Sequence, residues 1–163
     1  MLKQSLPAAQ LQQLGEYCKA GREHWKSGRI QDAETCFLSA WEVIPDPKCS
    51  HDYAQSLCRG MVDFLKETGQ FDKAIQWLDV MHEAYATGSC ETSFDYVDFI
   101  AGTVYLDAGD VASAYAIFKR HYDAHGKRPF IGEDKRYLAF YLEHRETRIG
   151  SGNMPPLIPT KNP

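Results

Sequence analysis

Gly28-Arg-Ile-Gln-Asp-Ala33, Gly69-Gln-Phe-Asp-Lys-Ala74 and Gly109-Asp-Val-Ala-Ser-Ala114 share one pattern: a glycine, an apolar residue two positions later and an alanine five positions later. Each stretch continues with a large apolar side chain four residues after the alanine, at Phe37, Leu78 and Phe118. The three glycines are 41 and then 40 residues apart. Regular spacing of one pattern indicates an internal repeat of three units.

Helical periodicity of apolar residues is present on both sides of each glycine. First helices are predicted over residues 11–27, 51–68 and 93–108, and second helices over 30–43, 71–85 and 111–122. The glycine ends the first helix because it enters the left-handed conformation of a C-terminal cap without strain. The alanine marks a close crossing of two helices, and the large residue after it fills the next layer. Each unit is therefore predicted to be an antiparallel helix pair.

This helix pair resembles the tetratricopeptide repeat. The residues that carry the resemblance are Ala20, Gly21, Gly28, Ala33, Phe37, Ala40 and Pro45; Leu65, Gly69, Phe71, Ala74, Leu78 and Met81; and Ala101, Gly102, Tyr105, Gly109, Val111, Ala114 and Phe118. The period departs from the family's usual length of about 34 residues. The resemblance implies an all-α fold, a right-handed solenoid of three antiparallel helix pairs, with repeats at about 11–45, 51–86 and 93–126.

A seventh helix is predicted over residues 133–149, after the third repeat. Because the last repeat of a solenoid exposes apolar surface, a terminal helix with one polar face is expected to cap it. Residues 1–149 are therefore predicted to form a single helical domain. The remaining 150–163 form a tail rich in glycine and proline, in which the prolines disfavour a helix.

Composition excludes several classes of protein. The chain has 163 residues, of which 44% are hydrophobic and 25% charged, and these values are typical of one soluble domain. No apolar run reaches the roughly 18 residues of a membrane helix, and the first ten residues do not resemble a secretory signal. Five cysteines without a CxxC pair favour reduced thiols and a cytoplasmic location.

Charge is unevenly distributed along the chain. The net charge is -4, which disfavours nucleic acid as the main partner. Residues 1–118 contain 9 Lys and Arg against 17 Asp and Glu, whereas residues 119–163 contain 9 against 5. An acidic body attracts basic partners faster than acidic ones. Two solvated faces without a binding role explain the same asymmetry.

No pattern in the sequence predicts catalysis, a cofactor or a metal site. His121 and His125 have the i, i+4 spacing of metal ligands on a helix, but Gly126 predicts that the helix ends there, and no third ligand is close in sequence. Cys49 and His51 form an equally incomplete pair. The sequence contains no Gly-x-Ser-x-Gly elbow and no glycine-rich phosphate loop. A small metal-dependent hydrolase is therefore the disfavoured alternative to a non-enzymatic protein.

The side chains of the first helices that point away from the second helices are predicted to line a concave groove for a partner protein or peptide. This set of candidate partner-binding residues, with two additions from the seventh helix, is Cys18, Arg22, Trp25, Arg59, Asp63, Lys66, Tyr96, Phe99, Thr103, Tyr137 and Tyr141. Aromatic residues and arginine are the commonest hot spots of interfaces. A core role for Trp25 and Phe99 explains their position equally well.

Two biological uses of such a module are open. Small bacterial proteins of this family include immunity proteins that neutralise toxins, and an acidic binder suits a basic toxin. Others serve as chaperones or adaptors for secreted or assembled proteins. Some members clamp a terminal carboxylate with basic and asparagine side chains, but of the matching positions here only Arg22 is basic. The sequence predicts no membrane partner and does not predict the oligomeric state.

Overall fold

The computed structural model describes residues 3–86 and 95–150, which contain helices and one isolated β-bridge but no strand. The predicted all-α class is confirmed. Two short 3-10 helices, Lys48–Ser50 and Arg128–Phe130, lie in the connections. The seven α-helices are α1 (Ala8–Lys26), α2 (Ile30–Val43), α3 (Asp52–Glu67), α4 (Phe71–Ala86), α5 (Tyr96–Asp107), α6 (Val111–His125) and α7 (Lys135–Gly150).

The helix ends lie within three residues of those predicted from the sequence. The predicted start of the third unit at residue 93, and the predicted tail after residue 150, lie outside the described residues. Among the α-helices, the more extensive contacts all join neighbours in the chain, and the closest packing is within α1–α2, α3–α4 and α5–α6. The structure therefore contains the three predicted helix pairs.

The three turns between paired helices share one hydrogen-bond pattern. Gly28 has a φ of 74°, its N–H donates to the Trp25 carbonyl, and the next N–H, that of Arg29, donates to the His24 carbonyl. The same two bonds follow Gly69 and Gly109, whose φ values are 73° and 86°. This is the Schellman cap, which requires a left-handed residue. The repeated glycine therefore ends each first helix by its backbone conformation.

Where the two helices of a pair cross, small residues on one helix lie against large residues on the other. Ala33, Ala74 and Ala114 are fully buried, as the repeat pattern predicts. A Cβ built on Gly102 would lie 2.9 Å from Cε1 of Phe118, and a Cβ on Gly21 would lie 2.5 Å from Cε1 of Phe37. First helices α1 and α5 therefore need a glycine where the second helix carries phenylalanine.

In the middle repeat, different side chains fill the same helix crossing. Val62 stands at the position of Gly21 and Gly102, and Leu78 stands at the position of the two phenylalanines. Both Val62 and Leu78 are buried. A larger residue on the first helix thus accompanies a smaller one on the second, which keeps the packed volume similar.

Candidate functional site

An open groove of about 400 Å³ lies between α1 and α3, with α2 and α4 forming its floor. Three of the candidate residues from the sequence, Cys18, Arg22 and Trp25, line it. The rest of its thirteen lining residues are mostly apolar or aromatic: Leu14, Gly15, Phe37, Trp41, Tyr53, Ser56, Leu57, Gly60, Met61 and Trp77. A concave, mostly apolar surface with few polar groups is typical of a binding site.

Aromatic side chains hold the shape of this groove. The ring centroids of Trp41 and Trp77 are 5.4 Å apart with an interplanar angle of 78°. Trp25 packs edge-on against Phe64 at 5.1 Å. Trp25 is half-buried, so it contributes both to the core and to the groove wall. Large rigid side chains lose little entropy on binding, which makes such a wall suitable for a partner segment.

Arg22 is the only charged residue among the thirteen described residues that line the groove. Its side chain is exposed, and it makes no ion pair with any described residue. Burial raises the pKa of the neighbouring Cys18 thiol, and the charge of Arg22 offsets part of that rise. Cys18 is therefore protonated near neutral pH and is a weak nucleophile. The groove offers a cation for binding rather than a thiolate for chemistry.

Two glycines inside helices border the groove at positions where close packing does not require a glycine. Gly15 in α1 and Gly60 in α3 are exposed, and a Cβ at either position would meet no atom within 4 Å. Glycine inside a helix costs about 1 kcal/mol relative to alanine. Neither turn geometry nor close packing requires these glycines, and each leaves the helix backbone accessible beside the groove.

A second group of the candidate residues forms a polar cluster where α3, α5 and the start of α7 meet. Arg59 forms a forked pair with Glu133, at 3.2 Å from Nη1 to Oε1 and 3.1 Å from Nη2 to Oε2. Its Nε donates to Asp63 Oδ2 at 2.8 Å, and its Nη1 donates to the Tyr96 hydroxyl. Burial alone would lower the pKa of Arg59, but the bonds to Glu133 and Asp63 outweigh burial and raise the pKa.

Lys66 extends the polar cluster into the interior. Its Nζ donates to the Tyr137 hydroxyl at 3.0 Å and to Thr103 Oγ1 at 3.2 Å. The Tyr137 hydroxyl in turn donates to Asp107 Oδ2 at 3.1 Å. These bonds pair the buried Lys66 ammonium and the Tyr137 hydroxyl, as the cost of burying polar groups requires, while Asp107 Oδ1 has no hydrogen-bond partner among the described residues. The polar cluster consequently attaches the beginning of α7 to α3 and α5.

The structure corrects part of the predicted groove lining. The residues expected to face an open groove but found buried are Lys66, Phe99, Thr103, Tyr137 and Tyr141. Lys66, Thr103 and Tyr137 are buried where the start of α7 meets α3 and α5. Phe99 instead packs against Phe118 and Phe130, and Tyr141 packs against Tyr115 and Tyr122 of α6. A buried side chain cannot contact a partner, so these five predictions of an exposed groove residue are wrong. Arg59, Asp63 and Tyr96 are half-buried and already bonded to other side chains.

We expect the Arg59–Glu133 pair to contribute measurably to stability. Both side chains are largely withdrawn from water, at 19% and 15% exposure. A double-mutant cycle with Arg59→Ala and Glu133→Ala, followed by urea unfolding, should give a coupling energy of about 1–3 kcal/mol. The matched control is the exposed Lys119–Asp123 pair on α6, at 53% and 55% exposure, for which a much smaller coupling energy is expected because solvent screens exposed charges. Equal coupling in the two cycles would contradict the stabilising role of the polar cluster.

The histidines singled out as potential metal ligands are placed apart from the groove. His121 is buried, and its Nε2 lies 2.7 Å from Asp98 Oδ2. No group of three or more His, Cys, Asp or Glu side chains in residues 3–86 and 95–147 is arranged to hold a metal ion. Within the described helices, none has both the length and the apolar character needed to cross a bilayer.

Most of the groove lining could not be predicted from the sequence. Trp41 and Trp77 lie on second helices, which the repeat pattern assigns to the core, and nothing in their spacing shows that they border an opening. Gly15 and Gly60 carried a usable signal, because each interrupts a predicted helix without ending it. Glu133 and Asp107 gave no signal, since their partners are far away in the chain.

Comparisons of the chain with protein-family models, with curated proteins and with solved structures gave no match.

Proposed function

We propose that this protein is a non-enzymatic protein-binding module that holds a segment of a partner protein in the groove between α1 and α3. The observation that carries the proposal is the combination of an aromatic-lined opening of about 400 Å³ with two unconstrained helix glycines at its border. A polypeptide segment suits this shape because the groove follows two helices and is open to solvent at Arg22, Tyr53, Ser56 and Gly60.

We propose further that the helix pairs form a right-handed solenoid of the tetratricopeptide type, capped by α7. Support comes from the three identical turn caps, the three buried alanines and the restriction of the more extensive helix contacts to chain neighbours. Contacts limited to neighbouring units are the defining property of a solenoid. In that arrangement α1, α3 and α5 lie side by side, which agrees with the Arg59–Tyr96 bond between α3 and α5.

Such a module serves both proteins that neutralise a toxin and chaperones or adaptors. The proposal includes both uses. A cytoplasmic location is proposed with it. The support is that Cys18, Cys36 and Cys58 are free thiols, since reducing compartments preserve free thiols.

The groove assignment predicts opposite effects on stability and binding at Gly60. Gly60→Ala should raise the free energy of unfolding by up to about 1 kcal/mol, because the helix gains and no neighbour clashes. Gly60→Leu should fill the opening and weaken binding of short peptides selected against the parent protein by about tenfold or more. Urea unfolding measures the first effect, and titration calorimetry with the selected peptides measures the second.

The matched control is Gln76→Leu, which places the same side chain at an exposed position on α4. Peptide affinity should be unchanged in this variant. If the selected peptides bind Gly60→Leu as tightly as the parent, or lose affinity for Gln76→Leu instead, the groove between α1 and α3 is not the binding site.

A further inference from the structure

Four cations form a row along one side of α1 and the turn after it. Lys19, Arg22 and Lys26 follow each other at intervals of three and four residues, which places them on one side of α1, and Arg29 stands in the turn that follows. All four side chains are exposed, and none makes an ion pair or a side-chain hydrogen bond within the described part of the chain. This set is called the basic row below.

The basic row borders the groove directly, since Arg22 belongs to both. The two acids of α1, Glu16 and Glu23, lie further round the helix from the groove, at about 60° or more from the centre of the row by helical geometry. No Asp or Glu is among the groove-lining residues. The electrostatic character of this opening is therefore cationic on its α1 side.

The local charge differs from that of the whole chain. Residues 1–50 contain six Lys and Arg against six Asp and Glu, whereas residues 51–118 contain three against eleven. The acidic excess of the body therefore belongs to the second and third helix pairs. Three of those acids, Asp52, Asp63 and Glu67, lie on α3, but none of them lines the groove. Asp63 is bonded to Arg59, and Asp52 accepts a hydrogen bond from Ser5. On the α1 side of the groove the neighbouring cations dominate.

We infer that the segment held in the groove is acidic, with one or more large apolar side chains seated among the tryptophans and Asp or Glu side chains facing the basic row. This inference rests on the proposed function and names the chemistry of its partner. It reverses the expectation from net charge, which favours a basic partner. Apolar anchors supply affinity in such an arrangement, and the complementary charges set orientation and selectivity.

The test uses three libraries of short peptides with blocked termini, which share randomised Phe, Leu and Met positions and differ only in having Glu, Gln or Lys elsewhere. Selection against the full-length protein should recover binders from the Glu library. Their affinity, measured by calorimetry, should fall by about tenfold between low salt and roughly 0.5 M NaCl, because exposed charges are screened. Blocked termini ensure that side-chain carboxylates, rather than a terminal one, are tested.

Charge reversal supplies the second arm. The double variant Lys19→Glu/Lys26→Glu should weaken the Glu-library binders by about tenfold or more. The matched control, Lys127→Glu/Lys135→Glu, changes the net charge by the same amount at two exposed lysines outside the groove and should leave affinity unchanged. Circular dichroism of both variants checks that they remain folded.

The possible failures are distinguishable. Binders from the Gln or Lys library that are lost in Gly60→Leu would keep the groove but overturn the acidic partner. Glu-library binders that tolerate Gly60→Leu would overturn both proposals, as would three libraries without any binder. If a single-stranded RNA or vesicles of anionic phospholipid bind through Lys19 and Lys26 as tightly as the peptides do, the basic row is a general polyanion site and the inference is wrong.

Discussion

Replacing Gly102 by valine is expected to destabilise the protein by about 3 kcal/mol, because overpacking of a well-filled crossing forces the neighbours to move. A Cβ at this position would lie 2.9 Å from Cε1 of Phe118 and 2.9 Å from Cγ2 of Ile117, and both neighbours belong to the buried core. For a chain of this length the loss corresponds to a fall in Tm of roughly 10 °C. Thermal and urea unfolding followed by circular dichroism measure it.

Rescue by a second change distinguishes packing from other causes. Val62 and Leu78 already stand at the two equivalent positions in the middle repeat, so Gly102→Val combined with Phe118→Leu should restore that pairing. The double variant should be more stable than the Gly102→Val single variant, with a favourable coupling of about 1 kcal/mol or more.

The matched control for this experiment is Gly15→Val, the same substitution in a helix position with no atom near its Cβ. Its effect should stay within about 0.5 kcal/mol, since the difference in helix propensity between the two residues is small. Equal losses at Gly15 and Gly102 would show that backbone conformation, and not the Gly–Phe contact, requires glycine.

The second large effect is expected at Phe99, where alanine should cost about 3–5 kcal/mol of stability. The phenylalanine ring has no exposed surface, and its centroid lies 4.9 Å from that of Phe130 and 5.4 Å from that of Phe118. Removal would leave a cavity between α5, α6 and the 3-10 helix Arg128–Phe130. Urea unfolding of Phe99→Ala measures the loss.

An aromatic residue of the groove serves as the control for Phe99→Ala. Tyr53 is 36% exposed and lines the opening between α1 and α3, so Tyr53→Ala should change stability by less than about 1 kcal/mol. Peptides bound in the groove should lose affinity for this variant. A Phe99→Ala protein that melts like the parent would mean that the ring is not part of the core.

The periodicity of the sequence was sufficient to predict the helices. The first helix of each pair ends at the left-handed glycine of a Schellman cap, and this signal is contained in a few consecutive residues. Burial of the three alanines was also predictable, because a small residue that recurs at the same position of each helix pair indicates a close crossing of the two helices.

The candidate site was predictable only in part. Cys18, Arg22 and Trp25 line the groove as the helix faces of the repeat suggested. Phe99 and Tyr141 could not be separated from surface residues, because an aromatic residue on a predicted inner face is compatible with a core or a binding role. Only contacts between separate segments decide between them, such as that of Phe99 with Phe130 and that of Tyr141 with Tyr115.

By itself the sequence determined the helix pairs, their turns and the small residues at each crossing, since these depend on backbone conformation and on side-chain volume within about forty residues. The tertiary structure alone decided which part of the inner face stays open. There Glu133, just before α7, and Tyr137 in its first turn cover the surface of α3 and α5, while the surface between α1 and α3 remains accessible beside Gly15 and Gly60. The physical reason is that burial and charge pairing depend on contacts between distant segments, and no local pattern shows which distant segment packs against a given helix face.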